Sequence, residues 1–573
     1  MDKMSLSEHF ELQEAWYGDV DLKSSWFYSL KTLKLDNCDI EPYAVPSNIL
    51  PYLKSLKELE VRDCNKVKVI FAKNDAKAIP SQLNNLTLAG LSELEHVWEK
   101  NCRGNLRFQN LQQVLVTNCK GLKSLFPAAL AKNLKKLENL EIGYCQNLLD
   151  IIGKEEVGVA DAAEKFLFPC LTSLKLYYLR ELTYFYPEIF NVECRELHEL
   201  LVLECPNLEL FQTSFTEGEG EGSSISINRQ PLFSDIKAIS FLEALSIDWI
   251  HSSALRSRLK LIEDLKSLKV IRILFDVHDN EDPTLPFDIL GKAPNLLDMS
   301  IEWCKSLEVF HTPNSKISEQ LKILTLYRAS ELKFIGSENS SWLNIVWEKL
   351  HELHVLNCPG LTKLFLTPSA VSFSYLKKLY ISECHGLEYL FTSSVTKVLM
   401  HLEEITVKEC QSIKEIMQME QDKTISQVVR FERLYCISLD ALSSLECFYS
   451  GNDTFHLQSL TQVDIRQCPK MEVFSRGGIH APSFRGIQAS SHSNDDLVFY
   501  NNDLNASVRR VFLLQILSEG VDNMNFSKHP EIQEAWNAGL ALAKNLKKLE
   551  KLKIEYCNEL REIVGKEVDA ATD

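Results

Sequence analysis

Cysteine can bind metals, form disulfides or act as a nucleophile, and 16 cysteines occur among the 573 residues of this sequence. Zinc sites hold cysteine and histidine at close spacing, typically as C-x-x-C pairs. No such pair occurs here, and the cysteines are spread along the chain. Eleven of them share one position of a recurring sequence frame: Cys38, Cys64, Cys119, Cys145, Cys205, Cys304, Cys358, Cys384, Cys410, Cys468 and Cys557. This regularity favours structural thiols and predicts neither a metal site nor a disulfide scaffold.

Other motifs with catalytic potential are incomplete. The segment from His351 to His354 reads H-E-L-H and not the zinc-binding H-E-x-x-H. No G-x-S-x-G nucleophile elbow, G-x-G-x-x-G loop or G-x-x-x-x-G-K-[ST] phosphate loop occurs. Gly218, Gly220 and Gly222 alternate with glutamates, which would repel phosphate. The residues leave an isolated Cys/His pair open, but we expect no enzyme and no cofactor.

The frame around the cysteines reads L-x-x-L-x-I-x-x-C, as in residues 137–145. It is the signature of leucine-rich repeats, with cysteine at the position that also accepts asparagine. A second kind of frame lacks the cysteine and runs on to an aromatic residue, as from Leu83 to Trp98. The frames begin at Met1, Leu30, Leu56, Leu83, Leu111, Leu137, Leu171, Leu197, Leu242, Leu268, Leu296, Leu321, Leu350, Leu376, Leu402, Phe431, Leu460, Val521 and Leu549. Most begin 25 to 29 residues after the previous one, which lies within the range of these repeats.

Apolar and polar residues alternate over the centre of each frame, which predicts a half-buried strand. We therefore expect an α/β fold, a leucine-rich-repeat solenoid curved like a horseshoe, with an inner parallel sheet and an irregular or short-helical outer face. The frame cysteine lies where the chain leaves the strand. Its S–H donates to a backbone carbonyl of the neighbouring turn or packs as a small apolar group, and the sequence leaves both alternatives open.

One array of about 19 or 20 repeats is predicted to span residues 1–573, with inserted loops near 213–231 and 475–505. After the second loop, residues 508–517 are apolar enough for a short helix. Residues 521–573 restart an earlier block, because residues 541–550 repeat residues 129–138 without change. Neither end resembles a polar cap, so we expect a fragment of a longer array or a truncated product.

The formal net charge of -17 argues against binding to nucleic acid or to an anionic membrane surface. No apolar run reaches the roughly 18 residues of a membrane span, and the N-terminus has no secretory signal pattern. We therefore expect a cytoplasmic protein with reduced thiols.

Aromatic residues recur at positions that the alternation predicts to face solvent on the concave side. Aromatic residues favour strands and shield their neighbours, which explains any single one of them. As a set, they are typical of protein-binding anchors, since tyrosine and tryptophan are enriched among interface hot spots. The predicted binding residues are Tyr177, Tyr178, Trp249, Trp303, Tyr327, Tyr380 and Tyr435, with Trp303 as the best single candidate.

The segments NLKKLENLEIGYCQNLLDII at 133–152 and LTQVDIRQCPKMEVFS at 460–475 resemble plant intracellular NLR disease-resistance proteins. The resemblance is to the leucine-rich-repeat region of the coiled-coil class and covers essentially the whole chain. It implies recognition of a pathogen effector or a guarded host protein in innate immunity. It also implies a nucleotide-binding domain as partner in a full-length receptor, although this chain has no phosphate loop of its own. The alternative is a stand-alone leucine-rich-repeat adaptor or scaffold, which the absence of an F-box-like segment disfavours.

Overall fold

The structure is a computed structural model in which the sequence frames form parallel strands of stacked solenoid turns. The chain divides into two compact units. The first comprises Met1–Asp276 and Pro283–Leu296, and the second comprises Val277–Asp282 and Leu297–Asp573. The residues described are 3–8, 17, 27–72, 79–80, 82–99, 106–153, 166–186, 192–194, 196–210, 231–233, 240–248, 265–275, 292–304, 320–335, 348–364, 373–393, 399–419, 427–490, 496–500, 503–518, 523–525 and 551–553.

Each frame from Met1 to Leu460 supplies one five-residue strand to the inner sheet of its unit. In Glu58–Arg62, Leu59 and Val61 are fully buried and alternate with exposed or half-buried neighbours. Neighbouring strands pair in parallel so that equivalent frame positions face each other, as Leu59 does Leu86. The inner strands of the first unit are Lys3–Ser7, Thr32–Asp36, Glu58–Arg62, Asn85–Ala89, Gln113–Thr117, Asn139–Gly143, Ser173–Tyr177, Glu199–Leu203, Ala244–Asp248 and Val270–Leu274. Those of the second are Asp298–Glu302, Ile323–Tyr327, Glu352–Leu356, Lys378–Ser382, Glu404–Lys408, Cys436–Asp440, Gln462–Arg466 and Gly486–Ser490.

A single residue with positive φ ends most of these strands and turns the chain out of the sheet. Asn, Asp or Gly fills some of these positions, as expected from their tolerance of the left-handed region. Other positions hold residues that adopt this region rarely, among them Tyr144, Tyr178 and Trp303, with φ of 56°, 54° and 61°. The backbone N–H of the turn residue donates to the last carbonyl of the next inner strand. For example, the N–H of Tyr144 donates to the carbonyl of Tyr177 over 3.0 Å. Most turns are therefore held by the same repeat-to-repeat contact, whereas the N–H of Glu204 donates to the carboxylate of Asp248 over 2.7 Å.

The frame cysteines follow these turn residues and are buried. All ten that lie in the described part of the chain are free thiols, and Cys557 lies outside it. The Sγ of Cys64 donates to the carbonyl of Arg62 over 3.2 Å, so the hydrogen bond returns to the strand just left. Cys384 also lies 3.7 Å from the carbonyl of Val355 in the preceding repeat. Hydrogen bonding and packing therefore act together at this position.

A second set of short parallel ladders follows the turns, where the sequence predicts irregular or short-helical structure. Each of these strands has only two to four residues. In the first unit they are Tyr43–Val45, Val69–Phe71, Ile79–Pro80, His96–Trp98, Leu106–Arg107, Ser124–Pro127, Asp150–Gly153, Phe166–Leu167 and Val192–Glu193. In the second they are Phe391–Thr392, Glu415–Gln418, Val428–Arg430, Cys447–Tyr449, Thr454–His456, Val473–Ser475 and Ile479–His480. Short helical pieces accompany them: the 3-10 helices Phe27–Ser29 and Leu50–Tyr52, and the α-helix Ala128–Ala131.

Two sequence predictions about the frames are wrong. The frame assigned to Phe431 begins at Leu434, because Ile437 pairs with Val463 of the following strand. The inserted loop near 475–505 contains an additional repeat strand, Gly486–Ser490, which continues the parallel sheet. Most of the loop predicted near 213–231 lies outside the described residues.

A hairpin and a helix follow this last parallel strand. Asp496–Tyr500 pairs with Gly486–Ser490 in antiparallel orientation, and the α-helix Leu504–Ser518 comes next, which confirms the helix predicted over 508–517. Farther on, Asn523–Asn525 pairs in parallel with Lys551–Lys553, within the predicted block restart. In the described part of the chain no helix is long and apolar enough to cross a membrane.

Candidate functional site

The predicted aromatic residues occupy four different positions of the repeat. Tyr380 lies at the centre of its strand, whereas Tyr177 and Tyr327 are the last residues of theirs. Tyr178 and Trp303 lie one residue beyond a strand, at the left-handed turn. Tyr435 lies just before the strand Cys436–Asp440, and Trp249 lies outside the described residues.

Two predicted residues of the first unit, Tyr177 and Tyr178, meet a third tyrosine, and we name this group the tyrosine cluster. It consists of Tyr144, Tyr177 and Tyr178. The rings of Tyr144 and Tyr178 stack with centroids 4.7 Å apart and an interplanar angle of 9°. Tyr177 meets Tyr144 edge-on at 5.5 Å. Tyr144 is 50% exposed and Tyr178 is 40% exposed, so the stacked pair presents aromatic surface to solvent.

A glycine and a carboxylate fix the ring of Tyr177. A Cβ on Gly143 would lie 2.1 Å from that ring, so only glycine allows the ring to occupy this place. The Tyr177 hydroxyl donates to Oε1 of Glu141 over 2.9 Å. Burial and this nearby carboxylate both raise the pKa of Tyr177 above its ordinary value, which keeps the phenol protonated at neutral pH.

In the second unit, an arginine joins the predicted residues Trp303 and Tyr327. The guanidinium carbon of Arg328 lies 4.4 Å from the centroid of the Trp303 ring and 5.2 Å from that of Tyr327. Trp303 also donates its backbone N–H to the Tyr327 carbonyl over 2.8 Å. The sequence predicts that Trp303 is the best single candidate for binding a partner. In the structure, Arg328 already occupies one face of its indole ring.

Tyr380 lies among polar side chains of the second unit. Its ring is 5.8 Å from that of His354 on one side, and Nζ of Lys408 is 5.7 Å from its centroid on the other. Tyr435 donates its hydroxyl to Glu404, which raises the pKa of Tyr435 to about 12. Tyr380 and Tyr435 therefore lie on either side of the strand Glu404–Lys408, and charged groups surround both.

Several of these partners are absent from the sequence prediction. Arg328 lies one repeat after Trp303, at the turn position, and Gly143 lies one repeat before Tyr177, at the last strand position. Aligning the frames would have revealed these positions, because parallel pairing places equivalent residues side by side. For instance, Gly143 pairs with Tyr177. The predicted binding residues belong to both units, and their role in binding stays a prediction.

Nothing in this arrangement resembles a catalytic or metal centre. In the described segments no group of three or more His, Cys, Asp or Glu side chains is placed to hold a metal ion. His354 and Glu352, of the H-E-L-H segment, approach to 3.5 Å as a half-exposed pair on the sheet face. Exposed aromatic rings beside charged groups are instead suited to contacts with another protein.

Comparison with known proteins finds similarity to leucine-rich repeats. The family model of plant disease resistance protein RPS2-like leucine-rich repeats matches residues 1–146 and 366–475. Among solved structures, the Toll–Spatzle complex of Drosophila matches with 12% identity and a TM-score of 0.29, over 77% of this chain and 54% of that chain. The mouse RP105/MD-1 complex matches with 13% identity and a TM-score of 0.29, over 94% of each chain. The chain thus spans about half the length of the Toll–Spatzle chain.

Proposed function

We propose that this chain is a non-catalytic protein-recognition module of plant innate immunity. The observation that carries the proposal is the set of exposed or half-exposed aromatic rings on the inner strands and their turns, of which the tyrosine cluster is the most exposed. Such rings supply large contact areas at low entropic cost and dominate many protein interfaces. The match to plant disease resistance leucine-rich repeats over residues 1–146 and 366–475 supports the biological context.

The partner in this proposal is a pathogen effector or a host protein that such effectors modify. In a full-length receptor, the repeats also contact a nucleotide-binding domain and help to hold it inactive. The protein acts in the cytoplasm and binds no nucleic acid, in keeping with its net charge of -17.

Site-specific photocrosslinking tests the proposal. One variant of the 573-residue chain carries benzoylphenylalanine in place of Tyr380. A second variant carries it in place of Tyr28, which is 44% exposed but lies outside the inner strands. Both are incubated with extract from pathogen-challenged plant tissue. We expect a specific crosslinked protein from the first variant alone. The captured protein is then purified and its affinity measured for the wild type and for Tyr380→Ala.

Truncating an anchoring aromatic side chain typically weakens binding roughly thirtyfold. We therefore expect at least tenfold weaker binding by Tyr380→Ala or by the matching variants Trp303→Ala and Tyr144→Ala. Crosslinks from Tyr28 alone, or full affinity in all three variants, would contradict recognition through the inner strands. Capture of the same host protein from unchallenged tissue would favour the adaptor alternative over immune recognition.

A further inference from the structure

The tyrosine cluster has a chemical counterpart elsewhere in the same chain. At the turn position of the second unit, Trp303 holds the guanidinium of Arg328 over its ring at 4.4 Å. In the first unit the equivalent turn position holds Tyr144, and the next turn holds Tyr178 in place of an arginine. The repeat thus builds the same aromatic position twice, and among the described residues an arginine lies on Trp303 but no cation lies on Tyr144. Tyr144 retains half of its surface for solvent.

The backbone holds this aromatic surface in place. Tyr144 and Tyr178 both follow a strand in the left-handed conformation, and each donates its N–H to the next strand over 3.0 Å and 2.9 Å. Tyr177 fills the space above Gly143 and is anchored on Glu141. Because the rings are positioned before any partner arrives, little conformational entropy remains to be lost on binding.

The inner strands that bear the cluster and the strand that follows them carry more negative than positive charge. The strands Asn139–Gly143, Ser173–Tyr177 and Glu199–Leu203, with the turn residue that follows each, carry three carboxylates and one ammonium group. These are Glu141, Glu199, Glu204 and Lys175, and Lys175 pairs with Glu199 over 2.9 Å. Aromatic faces and carboxylates both attract cations, so the two features favour the same kind of ligand.

From this complementarity, we propose that the tyrosine cluster is the docking site for an arginine side chain on a basic segment of the partner protein. The guanidinium stacks on the exposed face of Tyr144, where cation–π attraction and the local carboxylates act together. The inference rests on the proposed function as a recognition module and specifies the chemistry of one contact. A neutral or acidic partner segment would gain neither of these interactions.

Peptide binding to the full chain tests the proposal without a known partner. Fluorescence anisotropy compares a dye-labelled (Gly-Ser-Arg)4 peptide with an otherwise identical peptide in which citrulline replaces arginine. Citrulline keeps the planar shape but carries no charge. We expect the arginine peptide to bind at least tenfold more tightly to the wild type, with a preference that weakens as salt is added.

The tyrosine variants separate the cluster from the general negative charge of the protein, because they leave that charge unchanged. In Tyr144→Ala, the ratio of the affinities for the arginine and citrulline peptides should fall about fivefold, which is the effect expected for one exposed cation–π contact. Tyr144→Phe should retain it. Gly143→Ala should also weaken it, because the added Cβ displaces the Tyr177 ring. Tyr28→Ala is the matched control and should behave as the wild type, since Tyr28 is a comparably exposed tyrosine with Lys54 already 6.0 Å from its centroid.

Melting temperatures of all variants are measured in parallel. Loss of preference in Tyr144→Ala with an unchanged melting temperature and full preference in Tyr144→Phe supports the arginine site. An arginine preference of equal size in the wild type and Tyr144→Ala overturns it, as does equal binding of arginine and citrulline peptides to the wild type. Either negative result leaves the photocrosslinking from Tyr380 unaffected, so the failure of this inference is distinguishable from failure of the proposed function.

Discussion

At the scale of single residues, burial suppresses the chemistry of several frame cysteines. Burial raises the pKa of Cys64, Cys205 and Cys468 to about 12 in each case. The reactive form of a cysteine is the thiolate, so these thiols are poor nucleophiles at neutral pH. In contrast, Cys170 lies between frames and is exposed.

We predict that a thiol reagent at pH 7.5 modifies Cys170 first among the described cysteines. The buried frame cysteines should react only when the chain unfolds, and mass spectrometry of digested protein assigns each modified site. Cys170→Ser serves as the control and should remove the fast phase of labelling. Rapid modification of several frame cysteines in native protein would show that they are not packed as described.

The left-handed turn position leads to a second residue-scale prediction. Glu409 is exposed and has φ of 52°, a conformation that costs an L-residue roughly 1–2 kcal/mol but is readily adopted by glycine. Replacing it with glycine should therefore raise the free energy of unfolding, by about 0.5–1 kcal/mol. Glu409→Val should lower it, because a β-branched side chain tolerates this region poorly.

Urea denaturation of the two Glu409 variants provides the measurement. Thr406→Gly is the matched control, since Thr406 lies within the strand Glu404–Lys408, where glycine costs roughly 0.5–1 kcal/mol. An order of stability with the valine variant above the glycine variant would be incompatible with a left-handed turn at residue 409.

At the scale of elements, the helix Leu504–Ser518 takes the place of a further repeat. Oδ1 of Asn505 accepts the backbone N–H groups of Phe474 and Ser475 over 2.9 and 3.1 Å, and its Nδ2 donates to the Ser475 carbonyl over 2.9 Å. Gln515 accepts the N–H of Cys468 over 3.1 Å. Side-chain amides thus satisfy groups that the next repeat would otherwise satisfy, which is the role of a cap in a repeat array.

Asn505→Ala is expected to lower the stability of the last repeats of the second unit by about 2–3 kcal/mol. The truncation removes three hydrogen bonds and leaves partly buried backbone groups unsatisfied. Hydrogen–deuterium exchange should speed up at residues 462–490 and remain unchanged in the first unit. Unaltered exchange at Phe474 and Ser475 would mean that the helix does not cap the array.

The sequence predicts the inner strands well because burial on one face enforces the alternation. Where it fails, the apolar pattern is ambiguous. Phe431 is as fully buried as Leu434, so either residue fits the start of a frame. The strand Gly486–Ser490 is polar apart from Ile487 and Ala489, and its frame is too weak to recognise.

The candidate site is less predictable than the strands. Alternation places Tyr380 correctly on the exposed side of its strand. It does not reveal the backbone conformation of Tyr178 and Trp303, because no local pattern indicates that a large aromatic residue occupies a left-handed turn. The contact between Gly143 and Tyr177 depends on the register between repeats, which the 34-residue spacing obscures.

At the scale of the whole molecule, the buried thiols make the stability of the folded protein fall at alkaline pH. An ordinary cysteine has a pKa near 9, whereas burial raises that of Cys64 or Cys205 to about 12 in the folded protein. The folded state therefore holds these protons more tightly than the unfolded state. The contribution of these protonated thiols to the free energy of unfolding is fully present below about pH 9 and is lost as the pH rises towards 12.

We expect urea unfolding midpoints to fall steadily above pH 9 and to be insensitive to these thiols between pH 7 and 8. A Cys64→Ala and Cys205→Ala double variant should be less stable at pH 8, because each substitution leaves a cavity. Its stability should nevertheless decline less steeply from pH 9 to 11. A decline as steep as that of the wild type would assign the alkaline sensitivity to other groups.

The central claim is that the protein recognises a partner through side chains of the inner strands and their turns. Hydroxyl-radical footprinting of the full chain, with and without the partner captured by photocrosslinking, tests it most directly. On binding, we predict that oxidation slows at least threefold at Tyr144, Tyr178 and Tyr380, whereas Tyr28 reacts at the same rate. Protection of Tyr28 with unchanged oxidation of the three inner tyrosines would contradict the claim and place recognition on another surface.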